Sequence, residues 1–106
     1  MLSWFERLNK MTNQNLIFER MILRAFRKSI RPFLNHLPKD CFKGAYAWKL
    51  SGTTNTQWEI TMPAVGHVTI VNAHSAYGAK TKVFEEYVEN NMDPEIYKEY
   101  CDQVCS

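Results

Sequence analysis

The strongest alternation of apolar and charged positions runs through "LIFERMILRAFRKSIR", residues 16–31. At the 100° step of an α-helix, Arg20, Arg24, Arg27, Lys28 and Arg31 fall within an arc of roughly 100°. Phe18, Met21, Ile22, Ala25, Phe26 and Ile30 occupy most of the remaining circumference. The pattern predicts an amphipathic helix over about 15–31, one face basic and the other turned to a core. Pro32 disfavours helical geometry at Arg31 and ends or kinks the element. Upstream, "SWFE" at 3–6 has the form of a capping box, Ser3 at the N-cap with Glu6 reaching back, so a short helix is expected there. The polar "TNQN" at 12–15 interrupts that helix or caps the next one.

The period then changes from 3.6 to 2. "LPKDCFKG" at 37–44 reads as a loop. In "AYAWKLS" at 45–51, Tyr46, Trp48 and Leu50 alternate with Ala47, Lys49 and Ser51. In "TQWEITM" at 56–62, Trp58, Ile60 and Met62 alternate with Gln57, Glu59 and Thr61. "HVTIVNA" at 67–73 is rich in β-branched residues. The turn material "GTTN" and "PAVG" separates these runs, which predicts a three-stranded antiparallel meander. One face of the sheet is expected to be built from Trp48 and Trp58.

The rest is helical. Ser75 is placed to cap a helix whose apolar stripe is Tyr77, Val83, Phe84, Tyr87 and Val88, ending at Asn90-Asn91. Asp93 followed by Pro94 marks a restart, an N-cap and then the favoured first-turn proline. A last helix from 94 to about 104 turns Ile96, Tyr97, Tyr100, Cys101 and Val104 inward and Glu95, Glu99 and Asp102 outward. The expected fold is α+β: N-terminal helices, a three-stranded antiparallel sheet, and two C-terminal helices on one face of it. With 106 residues, one domain spanning 1–106 is expected. A hydrophobic content of 45% supplies the apolar surface that a core needs.

The net charge of +2 conceals a polarity. Residues 1–50 hold ten Lys/Arg and three acids, a balance of +7, and residues 51–106 hold three Lys and eight acids, a balance of −5. Such a chain creates a directional field able to steer a partner. Three cysteines rule out a fully paired disulfide framework within one chain, and free thiols suit a reducing compartment. "MLSWFERLNK" lacks the apolar core of a secretory signal, its Glu6 argues against a transit peptide, and no apolar run reaches membrane-span length. A soluble cytoplasmic protein with no membrane attachment is the expectation.

Candidate chemistry is sparse. His36, Cys41, Cys101 and Cys105 could form a zinc tetrad, but His36 to Cys41 spans four residues in a loop containing Pro38, and Cys101 lies in an apolar arc where thiols pack as small hydrophobes. His36 near Cys41 resembles a nucleophile pair, yet Asp40 beside the thiol disfavours its ionisation. His74-Ser75 lacks a Gly-x-Ser-x-Gly elbow. Gly78 with Lys80 and Lys82 at a helix start offers only weak grounds for a phosphate site. Neither a catalytic residue nor a metal or other cofactor is assigned.

The charged faces carry more weight. The five cations of the basic stripe could track phosphates. The order helix, three antiparallel strands, helix is similar in outline to double-stranded-RNA-binding domains, which place a lysine cluster at the start of the final helix, as Lys80 and Lys82 stand here. The family's Lys-Lys-x-Ala-Lys and Gly-Pro-x-His patterns are absent, so the resemblance is one of topology. Conversely, Glu85, Glu86 and Glu89 with Glu95, Glu99 and Asp102 could imitate phosphates in a partner's basic groove. The expectation is a non-enzymatic binding protein that docks on a protein or protein–nucleic-acid complex through two patches. The basic patch is Arg20, Arg24, Arg27, Lys28 and Arg31, and the acidic patch is Glu95, Glu99 and Asp102. A small virus- or mobile-element-encoded inhibitor of a host nucleic-acid-processing or defence complex fits the size and profile. Direct RNA or DNA binding by the basic stripe is the alternative, and a zinc- or thiol-dependent protein the second alternative.

Overall fold

The computed structural model describes residues 16–50 and 56–105. The capping box at 3–6 and the "GTTN" turn lie outside the described residues. Helix α1, Leu16–Ile30, runs into a 3-10 helix, Arg31–His36. Pro32 therefore acts as its position requires: the α-helix stops before it, and a tighter turn continues with Phe33 buried. Successive turns through residues 37–45 follow, including Cys41 N–H to Pro38 O and Lys43 N–H to Asp40 O. They lead into strands β1 (Tyr46–Lys49), β2 (Gln57–Met62) and β3 (His67–Asn72). The sheet is an antiparallel meander in the order β1-β2-β3. Gly66 closes the second turn at φ 65°, a left-handed conformation that side chains other than glycine adopt at a cost.

Helix α2, Ala76–Asn91, packs against all three strands and against α1. Ser75 caps it, its Oγ accepting from Gly78 N–H at 3.1 Å. Asp93 performs the same office for α3, Pro94–Cys105, its Oδ1 accepting from Glu95 N–H at 2.9 Å. The expected α+β architecture, with the C-terminal helices on the sheet, is what the chain adopts.

The core lies between the helices and the inner face of the sheet. Phe26 of α1, Phe42 of the connecting turn and Phe84 of α2 meet with ring centroids 4.8–6.1 Å apart. Ile60 and Met62 rise from β2 into the same cluster, fully buried. Phe33 and Tyr100, with centroids 5.4 Å apart in an edge-to-face arrangement, tie the 3-10 helix to α3.

Two sequence expectations fail here. Trp48 and Trp58 do not share a face. Directly opposed residues of neighbouring strands point the same way, and Trp48 stands opposite Glu59 while Lys49 stands opposite Trp58. Trp58 turns inward, its indole N–H donating to Ala73 O at 3.0 Å, whereas Trp48 is 65% exposed on the outer face. The inward position on β1 goes to Ala47, opposite Ile60, small enough for α2 to approach the strand. Met21 is the second failure. Placed in the apolar arc by its chemistry, it is 58% exposed, because the described residues cover α1 on the side of Ile22, Leu23, Phe26 and Ile30.

Candidate interaction surfaces

The exterior of α1 is the most distinctive charged region. Arg20, Arg24, Arg27 and Lys28 on the helix and Arg31 at the start of the 3-10 helix are all exposed. Among the described residues, none of the five forms an ion pair. Arg27 extends across the core, its guanidinium carbon 6.0 Å from the centroid of the Phe84 ring. Lys80 of α2 comes close to it. The Lys80 ammonium has a lowered pKa, first because it is half-buried and then because Arg27 repels it. Lys80 thus extends the positive region from α1 onto α2.

The one acid of α1 is kept out of this region. Glu19 lies on the opposite side of the helix and is 1% exposed. Its Oε2 accepts from Ser75 Oγ at 2.8 Å, and its Oε1 is buried without a hydrogen-bond partner. The carboxylate therefore sits at the N-terminus of α2, where the positive end of the helix dipole favours a negative charge. Had Glu19 faced outward, it would have neutralised part of the stripe.

The acidic residues stand on other elements. Glu95, Glu99 and Asp102 are exposed on α3, and Glu86 and Glu89 are exposed on α2. Glu85 and Glu89 approach Tyr97 of α3, whose phenol is pushed far above its ordinary range, first by burial, then by a hydrogen bond to Cys101 and by these carboxylates. The acids of α2 and α3 thus adjoin one another. The eight residues of the two expected patches are all exposed, the basic ones on α1 and the start of the 3-10 helix and the acidic ones on α3.

The remaining candidates do not converge. His36 is exposed at the end of the 3-10 helix, Cys41 is buried, and Cys101 is half-buried on α3. The Cys105 side chain is outside the described residues. Among the described residues, no group of three or more His, Cys, Asp or Glu is placed to hold a metal ion. The Cys41 thiol is raised above its usual pKa mainly by burial, with Asp40 adding to the shift, the opposite of what a nucleophile requires. Tyr87, also raised, feels the charge of Cys41, and its ring lies 5.9 Å from that of His67. His67 was marked in the sequence only by its place in the β-branched run at 67–73. Ser75 is fully engaged as a cap. Lys82 is separated from Lys80 in role, since its ammonium donates to Asn72 O at 2.8 Å, tying α2 to the end of β3. A shallow groove of about 480 Å³ is lined by the apolar Leu34, Leu37, Pro38 and Phe42 together with Lys39, Asp40, Cys41 and Lys43.

No described helix is long and apolar enough to cross a membrane. Comparison with known proteins finds no matching family model, no matching curated protein and no matching solved structure.

Proposed function

We propose that the protein is a non-enzymatic binding module that docks on a larger macromolecular partner through its charged helical faces, with the basic face of α1 making the principal contact. The observation that carries this reading is the state of the five cations Arg20, Arg24, Arg27, Lys28 and Arg31. All are exposed on one side, and the one carboxylate of their own helix is withdrawn into the interior. Exposed cations that form no ion pair among the described residues meet an acidic surface at little cost in broken contacts and accelerate its approach. Glu95, Glu99 and Asp102 offer the complementary contact from α3. An inhibitor of a nucleic-acid-processing or defence complex is the setting in which both signs would be used at once, cations toward bound nucleic acid and acids toward the basic groove that holds it.

Direct binding of RNA or DNA is the second reading, favoured by the proximity of Lys80 to Arg27, which widens the positive surface to two helices. Salt titration separates the two. A nucleic-acid ligand held by five phosphate contacts loses affinity with a log–log slope of roughly −4 to −5 on duplex DNA. In the preferred reading, the protein binds duplexes weakly and without such a slope. Arg24→Glu with Arg27→Glu then abolishes capture of the protein partner, and Glu99→Lys weakens it. Retention of partner binding by the double arginine variant would remove the basic face from the mechanism.

A further inference from the structure

Among the described residues, nothing covers the outer face of the sheet. Two cross-strand rows lie on it: Tyr46, Thr61 and Val68 in one, and Trp48, Glu59 and Ile70 in the other. Tyr46 is 51% exposed, Trp48 65%, Val68 56% and Ile70 55%, although all four are large and apolar. Aromatics fill the β1 side of this face and β-branched aliphatics the β3 side, with the half-buried Glu59 and Thr61 between them. Together they expose roughly 400 Å² of apolar surface in two strips divided by Glu59 and Thr61, within the range of the largest apolar patch on a monomer, which is often functional.

We propose that this face is the contact between two copies of the chain, packed sheet on sheet about a twofold axis. The other macromolecular occupant to consider is a nucleic acid with bases stacked on Tyr46 and Trp48. Such a platform needs cations to follow the phosphates. Gln57, Asn72 and Glu59 are the remaining outward residues of the three strands, which among these described positions carry one carboxylate and neither Lys nor Arg. A second copy meets no such objection. An axis crossing the strands midway between the rows sets Trp48 of one copy against Tyr46 of the other and Ile70 against Val68. It also sets Glu59 against Thr61, whose hydroxyl donates to the carboxylate. Each residue type thereby finds its complement in the same surface rotated, as an isologous interface demands. Sheets stacked about 10 Å apart accommodate side chains of these sizes. The apolar area supplies about half of the 800 Å² that each partner gives to a standard interface, with the polar ends of the strands as its rim. Because the helices occupy the opposite side of the sheet, both copies keep the α1 cations open.

Sedimentation equilibrium of the full chain across the micromolar range tests the arrangement. The expected mass rises from 12.5 kDa to twice that value with concentration. Trp48→Lys and Ile70→Lys each abolish the rise while leaving the far-ultraviolet circular dichroism of the monomer unchanged, since neither side chain enters the core. Thr61→Val weakens the dimer about 5- to 10-fold by leaving Glu59 without its donor. A monomer at every concentration overturns the proposal, whether residues 1–15 or a different protein then covers the face. A dimer that persists in both lysine variants also overturns it, because the contact must then lie elsewhere. So does oligonucleotide binding lost in Trp48→Lys and retained in Arg24→Glu with Arg27→Glu.

Discussion

At the scale of the residue, Ser75 has the most consequences for its size. Its hydroxyl accepts from Gly78 N–H and donates to Glu19, so one side chain caps α2 and fastens α1 to it. Ser75→Ala removes the cap and leaves a second Glu19 oxygen buried without a partner. The expected loss is about 2–3 kcal/mol of unfolding free energy, read from urea denaturation. Ionisation makes a separate prediction. Cys41, Tyr87 and Tyr97 all have pKa values raised by burial, from ordinary values of 9.0, 10.0 and 10.0. Above pH 9 the unfolded chain gives up protons that the folded chain keeps, so stability falls as pH climbs through and beyond that value. Lys80, lowered, works in the opposite sense, but it is a single, half-exposed group against three. Urea midpoints should therefore decline between pH 9 and 11, and a midpoint that rises over this range would contradict the burial assigned to these groups.

The elements themselves separate what was legible from what was not. The caps at Ser75 and Asp93, the stop before Pro32 and the positions of the three strands were readable, because each depends on a few neighbouring residues. The acidic face of α3 was readable too, since helical spacing alone sorts Glu95, Glu99 and Asp102 from Tyr100. Strand orientation was not. Alternation says that Tyr46 and Trp48 share a face, but which face is decided by pairing register and by the close approach of α2 over Ala47. Nor was the role of Glu19, whose partner is 56 residues away in sequence. The two tryptophans make the point measurable. Trp58→Ala removes an inward ring and its bond to Ala73 and should cost about 3 kcal/mol. Trp48→Thr on the open face, in dilute solution, should change stability by no more than about 0.5 kcal/mol. Equal losses for the two would mean that the register is wrong.

Across the whole molecule, the separation of charge in sequence becomes a separation in space: cations on α1 continued by Lys80 of α2, acids on the later turns of α2 and on α3, and a mainly apolar sheet face whose one carboxylate is Glu59. Arg24→Glu with Arg27→Glu exchanges two exposed cations for two acids. It should leave the urea midpoint nearly unchanged, because exposed substitutions seldom alter stability by more than about 0.5 kcal/mol. Elution from a polyanionic column should nevertheless move to markedly lower salt. An equal shift in Glu99→Lys would show that the column reads net charge and that the face on α1 has no special standing.

Met21 and Ile17 stand exposed on α1 beside Arg20 and Arg24, 58% and 70% accessible. A surface of this composition has two modes of adhesion with different thermal signatures. Screening extinguishes the Coulombic one, while the desiccation of thioether and alkyl groups survives it and lowers the heat capacity of the complex. Titration calorimetry against a protein partner should therefore retain a negative ΔCp in strong salt, diminished in Ile17→Ser with Met21→Ser. A purely ionic grip would show none.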